Sequence, residues 1–256
     1  MSGQLLTGGI MKKSDELFEQ VQAEQCRKYG LTSCIKDGVL YPGQFESSPF
    51  KMVMVLKEPY AEWDEENQTP VSEDFDFSDI IGKLKEDYES GMNKTWLKVA
   101  AIAYSLKNNT EYTEDLTYEQ VEEGLKCVCW INLSKTPWNT TTNMDSEFKE
   151  RTVAWEPVVK AQLEEAAKIS CDLVWFGNTW DFGPLNPVEP YVGWDESHDT
   201  SNEKWYKRTT ESGKKTQIQI MKYNRTDVII VNGYHPGFGN SAEWTVECIK
   251  DYRENF

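Results

Sequence analysis

Residues 226–252 read TDVIIVNGYHPGFGNSAEWTVECIKDY: a β-branched run, a tight turn and an amphipathic stretch. Val228–Val231 has the composition of a strand buried on both faces. The chain leaves it through Gly-Tyr-His-Pro-Gly, in which Pro236 stiffens the turn and the glycines permit it. Asn240-x-x-Glu243 then has helix-start spacing, and Trp244, Cys248, Ile249 and Tyr252 share one helical face. One of only two histidines, His235, is thereby set where a strand ends.

Working outward, three more apolar runs of strand length occur, at Phe50–Leu56, Cys127–Ile131 and Cys171–Phe176. Helical patterns separate them. SDELFEQVQAEQCRKYG reads as a helix with Ser14 as N-cap and Gly30 past its end. A short helix is expected near Ile80–Tyr88. TWLKVAAIAYSLKNN is a helix starting from Thr95, apolar almost all round and hence buried. Thr117-x-x-Gln120 has capping-box spacing. EFKERTVAWEPVVKAQLEEAAK is a long helix in which Pro157 marks a kink or the true first turn. Strands that alternate with helices predict an α/β fold, a three-layer sandwich around a central, mostly parallel four-stranded sheet. The alternating segment over residues 203–225 reads as an added β-hairpin, an insertion or an edge elaboration before the last strand. The whole, residues 1–256, reads as one domain with a helical extension over residues 1–48.

The formal net charge is −16. It is unevenly spread: residues 58–90 carry twelve Asp and Glu against two Lys, whereas residues 203–225 carry seven Lys and Arg against two Glu. Any contact with nucleic acid is therefore expected from the second segment. Six scattered cysteines form no C-x-x-C pair, which points to free thiols and a cytoplasmic protein. Cys127 and Cys129 are expected on one face of their strand. No zinc spacing and no Gly-rich phosphate loop is present, so no metal and no cofactor is expected. Neither a membrane span nor a secretory signal is evident. A monomer is expected.

In open α/β sheets ligands bind beyond the carboxyl ends of the strands. The four ends here read Lys57-Glu58-Pro59-Tyr60, Asn132-Leu133-Ser134-Lys135, Gly177-Asn178-Thr179 and Tyr234-His235-Pro236-Gly237. A parallel sheet would bring together a carboxylate, an amide, a glycine turn and an imidazole.

These motifs, in this order over residues 50–256, resemble the uracil-DNA glycosylase superfamily. LKEPY resembles its Gly-Gln-Asp-Pro-Tyr motif, and INLSKTPW its Asn-x-x-Lys-x-x-Pro segment. DLVWFGN resembles the strand that ends in glycine, and YHPGFGN the His-Pro-Ser motif. The chain departs from the family with Leu56-Lys57 before the acid, Glu58 for Asp and Gly237 for Ser, and it lacks the C-x-x-C of the iron–sulfur branches. The resemblance implies Glu58 and His235 as catalytic residues, with Tyr60 and Asn132 holding the base. It places Lys135, Gly237 and Phe238 against DNA; the basic hairpin adds Lys207 and Arg208. The partner implied is DNA, single- or double-stranded, carrying uracil or a related modified base.

The chemistry suits these side chains. Breaking an N-glycosidic bond leaves a cationic sugar and an anionic base. A carboxylate stabilises the first and orients water, and an imidazole N–H stabilises the second. An amide pairs with a base edge once the base is flipped out. Each residue also has an ordinary reading: Glu58 as a solvated strand-end acid, His235 and Asn132 as turn braces, Tyr60 and Phe238 as packing. His198, in a polar loop, reads as solvated. Two alternatives stand beside hydrolysis: an inactive module of the same fold that binds a nucleobase, nucleic acid or protein, and a carbohydrate-acting enzyme suggested by abundant aromatics and carboxylates.

Overall fold

The computed structural model describes residues 12–59, 63–64, 66, 69–70, 77–138, 146–180, 202–210, 213–222, 227–239 and 241–256. Strands are β1 (Gly38–Val39), β2 (Met52–Leu56), β3 (Trp63–Asp64), β4 (Thr69–Pro70), β5 (Val128–Asn132), β6 (Leu173–Gly177), β7 (Glu203–Thr209), β8 (Lys215–Lys222) and β9 (Ile229–Gly233). Helices are α1 (Lys12–Tyr29), α2 (Pro42–Ser47), α3 (Phe77–Gly82), α4 (Leu84–Gly91), α5 (Lys94–Asn108), α6 (Tyr118–Leu125), α7 (Ser146–Lys168) and α8 (Ser241–Asn255).

Among the described residues the main sheet has seven strands, ordered β1-β5-β2-β6-β9-β8-β7. Strands β5, β2, β6 and β9 run parallel, with Leu56 level with Asn132 and Gly177 level with Gly233. The sheet is thus larger than the four strands expected. The hairpin β7–β8 is an edge elaboration: β8 pairs antiparallel with β9 and continues the sheet. At the other edge β1 pairs antiparallel with β5.

Burial of the parallel strands on both faces explains the apolar composition of their interiors. Met52, Met54 and Leu56 face the layer built from α5, α6 and α8, whereas Val53 and Val55 face α1 and α7. Each such side chain contributes about 1.5–3 kcal/mol when fully buried, so both layers hold the sheet. Cys127 precedes β5 and lies in the first layer, and Cys129 lies in the second; they do not share a face. Residues of α1 enter the same core, with Phe18 stacked on Trp155 at 5.3 Å.

Several helix boundaries depart from expectation. Ser14 is buried inside α1 and does not cap it. Helix α5 is capped by Asn93, whose side chain accepts the Thr95 N–H, because the amide oxygen satisfies a donor that the first turn leaves unpaired. The capping box of Thr117 and Gln120 is present at α6. Pro157 lies well inside α7 and is not its first turn. The start expected at Asn240 lies outside the described residues.

Helices α5 and α6 cross at Gly124, where a Cβ would stand 2.3 Å from the Ala100 carbonyl oxygen. Gly124→Ala is expected to lower stability by roughly 1–3 kcal/mol through overpacking, although alanine is the better helix former. Urea unfolding of the variant checks this; a higher midpoint would contradict the crossing.

Candidate functional site

The chain runs from β2 outward to β5 and returns across β2 to β6, so the strand order reverses at β2. Such a reversal opens a crevice at the carboxyl ends. There, a pocket of about 200 Å³ is lined by Glu58 and Pro59 after β2, Asn132 at the end of β5, and His235 after β9. Three of the four strand ends therefore meet. The fourth, Gly177-Asn178-Thr179, supports the others from behind. A Cβ on Gly177 would lie 2.4 Å from Leu56 Cδ2 and 3.4 Å from the His235 Cα.

One wall is aromatic. Trp96 of α5 and Trp130 of β5 stack at 4.6 Å, and Phe77 of α3 meets them edge-on at 5.0 and 5.5 Å. Flat apolar faces of this kind suit a planar ring.

Asn132 is 2% exposed. Its Oδ1 accepts the Trp130 indole N–H at 3.2 Å, which fixes the amide orientation. Its Nδ2 then has no partner among the described residues. An unsatisfied buried donor costs about 1–3 kcal/mol, which makes this amide a candidate donor to an oxygen placed in the pocket. The strand end is held from behind by Asp37, whose carboxylate accepts the Asn132 N–H at 2.6 Å, Lys135 Nζ at 2.6 Å and Gln162 Nε2 at 2.9 Å. Lys135, expected against DNA, is instead fully buried and also donates to the Asn132 carbonyl. Burial pushes its ammonium pKa down, against the pull of Asp37.

Glu58 is buried, 6% exposed, and is gripped by Arg151 of α7. Oε2 accepts from Nε and Nη2 at 3.2 Å each, and Oε1 from Nη2 at 3.4 Å. The guanidinium also lies 4.0 Å over the Trp138 ring. A solvated strand-end acid is thereby excluded.

His235 is half-buried in a turn tied down on every side. Trp175 Nε1 donates to the Tyr234 carbonyl at 3.0 Å, and Lys98 Nζ to the Gly239 carbonyl at 2.8 Å. The Gly237 N–H donates to His235 Nδ1 at 3.0 Å. With Nδ1 an acceptor, the neutral ring carries its proton on Nε2 and offers a donor. Burial, with Lys57 and Lys98 adding positive charge, lowers the imidazole pKa to about 4. Gly237, expected to touch DNA, spends its N–H on the imidazole. A Cβ there would crowd Nδ1 at 3.1 Å and Thr95 Oγ1 at 3.2 Å, which explains glycine at this position.

Outside the pocket, Phe238 is 49% exposed, stacks on Tyr234 at 5.5 Å, and has Lys214 Nζ 4.8 Å above its ring. Lys207 is exposed on β7, and Arg208 lies over Trp244 at 4.5 Å. Tyr60 and His198 lie outside the described residues. No cluster of potential metal ligands occurs among those described, and no described helix is long and apolar enough to cross a membrane.

Sequence reading missed Arg151, Asp37 and the aromatic wall. Arg151 was detectable: a lone cation three residues after Phe148 and four before Trp155 falls on the apolar face of its helix. Asp37, in an Asp-Gly turn, carries no such signal. No known protein family, curated protein or solved structure matches the chain.

Two outcomes follow. Because His235 is neutral when folded and has a higher pKa when unfolded, its contribution to stability falls as pH drops from about 6.5 towards 4. An NMR titration should place its midpoint near 4; a midpoint near 6.5 would contradict the burial. Lys135→Met strands Asp37 without its cation and should cost roughly 3–5 kcal/mol in urea unfolding. A loss below about 1 kcal/mol would instead indicate a surface lysine.

Proposed function

We propose that the chain is a divergent uracil-DNA glycosylase-like hydrolase, which cleaves the N-glycosidic bond of uracil or a related base in DNA. The observation that carries this reading is the meeting of Glu58, Asn132 and His235 in one aromatic-walled pocket. A flipped base stacks on Trp96 and Trp130, and Asn132 Nδ2 donates to its exocyclic oxygen. As the bond from C1′ to the ring nitrogen lengthens, negative charge gathers on the base. His235 Nε2–H meets it as a neutral donor. Glu58 lies on the sugar side, stabilises the developing cation and orients the water that adds to C1′, and the proton that this water loses passes to solvent. The base leaves as an anion and is later protonated by solvent. No part of this scheme needs a metal or cofactor.

The Glu58–Arg151 pair favours a second reading. A carboxylate whose charge is already balanced stabilises a nearby cation less, and then the pocket would bind a nucleobase without cleaving it.

Base release from labelled oligonucleotides carrying uracil, hypoxanthine or hydroxymethyluracil, scored by alkali cleavage, tests the proposal. Wild-type protein should yield abasic sites, and His235→Ala and Glu58→Gln should each lose about 10²-fold or more in rate. No release by folded protein, together with quenching of tryptophan fluorescence by free base, would favour the binding module.

A further inference from the structure

We propose that the outer end of the β7–β8 hairpin is a phosphodiester-binding groove that takes single-stranded nucleic acid. It rests on the reading above only for where the strand leads. The groove, of about 510 Å³, is lined by Lys207, Arg208, Lys215, Thr216 and neighbouring polar groups. No carboxylate lines it among the described residues. Lys207 and Lys215 have no ion-pair partner among the described residues, in contrast to Lys204, which pairs with Asp251 at 2.7 Å. Thr216 is 6% exposed, and its hydroxyl has no partner among the described residues. Lys207 and Lys215 share the exposed face of the hairpin with Trp205, whereas Thr216 lies on the opposite face across from Arg208; two exposed cations on one face are suited to phosphate oxygens.

Position links the groove to the pocket. Since β8 runs antiparallel to β9, the turn end of the hairpin projects past the carboxyl end of β9, where His235 stands. Lys214 over Phe238 and the Gln217 N–H donating to Tyr234 Oη at 3.3 Å tie the two regions together. Trp205, 45% exposed, offers a ring face on which an unpaired base can stack. Charge selects the single strand. A duplex needs a broad basic face, but the cations here lie along one hairpin of a chain whose net charge is −16.

The test is fluorescence anisotropy of the full chain with a labelled oligodeoxythymidylate of about fifteen nucleotides, and with a duplex of equal length, between about 50 and 200 mM salt. The single strand should bind more tightly. Lys207→Gln with Lys215→Gln should weaken it about tenfold or more at the lowest salt and reduce the log–log salt slope by roughly 1.4. Trp205→Ala should weaken it about tenfold with the slope unchanged. Lys207→Arg with Lys215→Arg should retain binding, which separates charge from folding. Tighter binding of the duplex, or an unchanged affinity and slope in the Gln variant, would overturn the proposal. The probe carries no uracil and is not cleaved, so this result and that of the base-release assay can fail independently.

Discussion

Because β2, β5, β6 and β9 are covered by helices on both faces, their flanks have no room for chemistry, and the polar groups of the pocket come from where they stop and from the start of α5. The reversal of strand order at β2 opens the crevice. Level ends at Leu56 and Asn132, and at Gly177 and Gly233, set its floor. Helix α5 then closes one side with Trp96, and the turn after β9 closes another with His235.

Two buried ion pairs stand under this floor and act differently. Asp37 and Lys135 are both fully enclosed, and the Asp37 carboxylate is saturated by Lys135, Gln162 and the Asn132 backbone. That pair holds the Asn132 strand end in place from behind the pocket. Glu58 and Arg151 form the pocket-side pair, with Glu58 in the lining itself. Burying any ion costs several kcal/mol, so each carboxylate at this depth needs its cation. Electrostatics also set the histidine: burial beside two lysines keeps it neutral, and the Gly237 N–H decides which nitrogen holds the proton.

The four apolar runs, the Thr117 capping box and the strand-end positions of Glu58, Asn132 and His235 were legible, since burial on both faces and turn chemistry leave local marks. The seventh strand was not, because two-residue β1 carries no pattern of its own. Nor was the choice between insertion and edge elaboration for the hairpin, which depends on pairing with β9 and not on its own alternation. Lys135 read as a surface cation because its partner, Asp37, lies 98 residues away. The Asn93 cap lay only two residues before the expected start at Thr95, within the usual uncertainty of helix ends.

The sequence by itself determined the α/β class and which residue types end each strand, because periodicity and turn propensity act over a few neighbouring residues. Only the tertiary structure decided which of those ends meet, that Glu58 is gripped by Arg151, that Asn132 Nδ2 has no partner among the described residues, and that His235 presents Nε2–H. Each of these rests on contacts between distant segments, where burial and the nearest charge outweigh local preference.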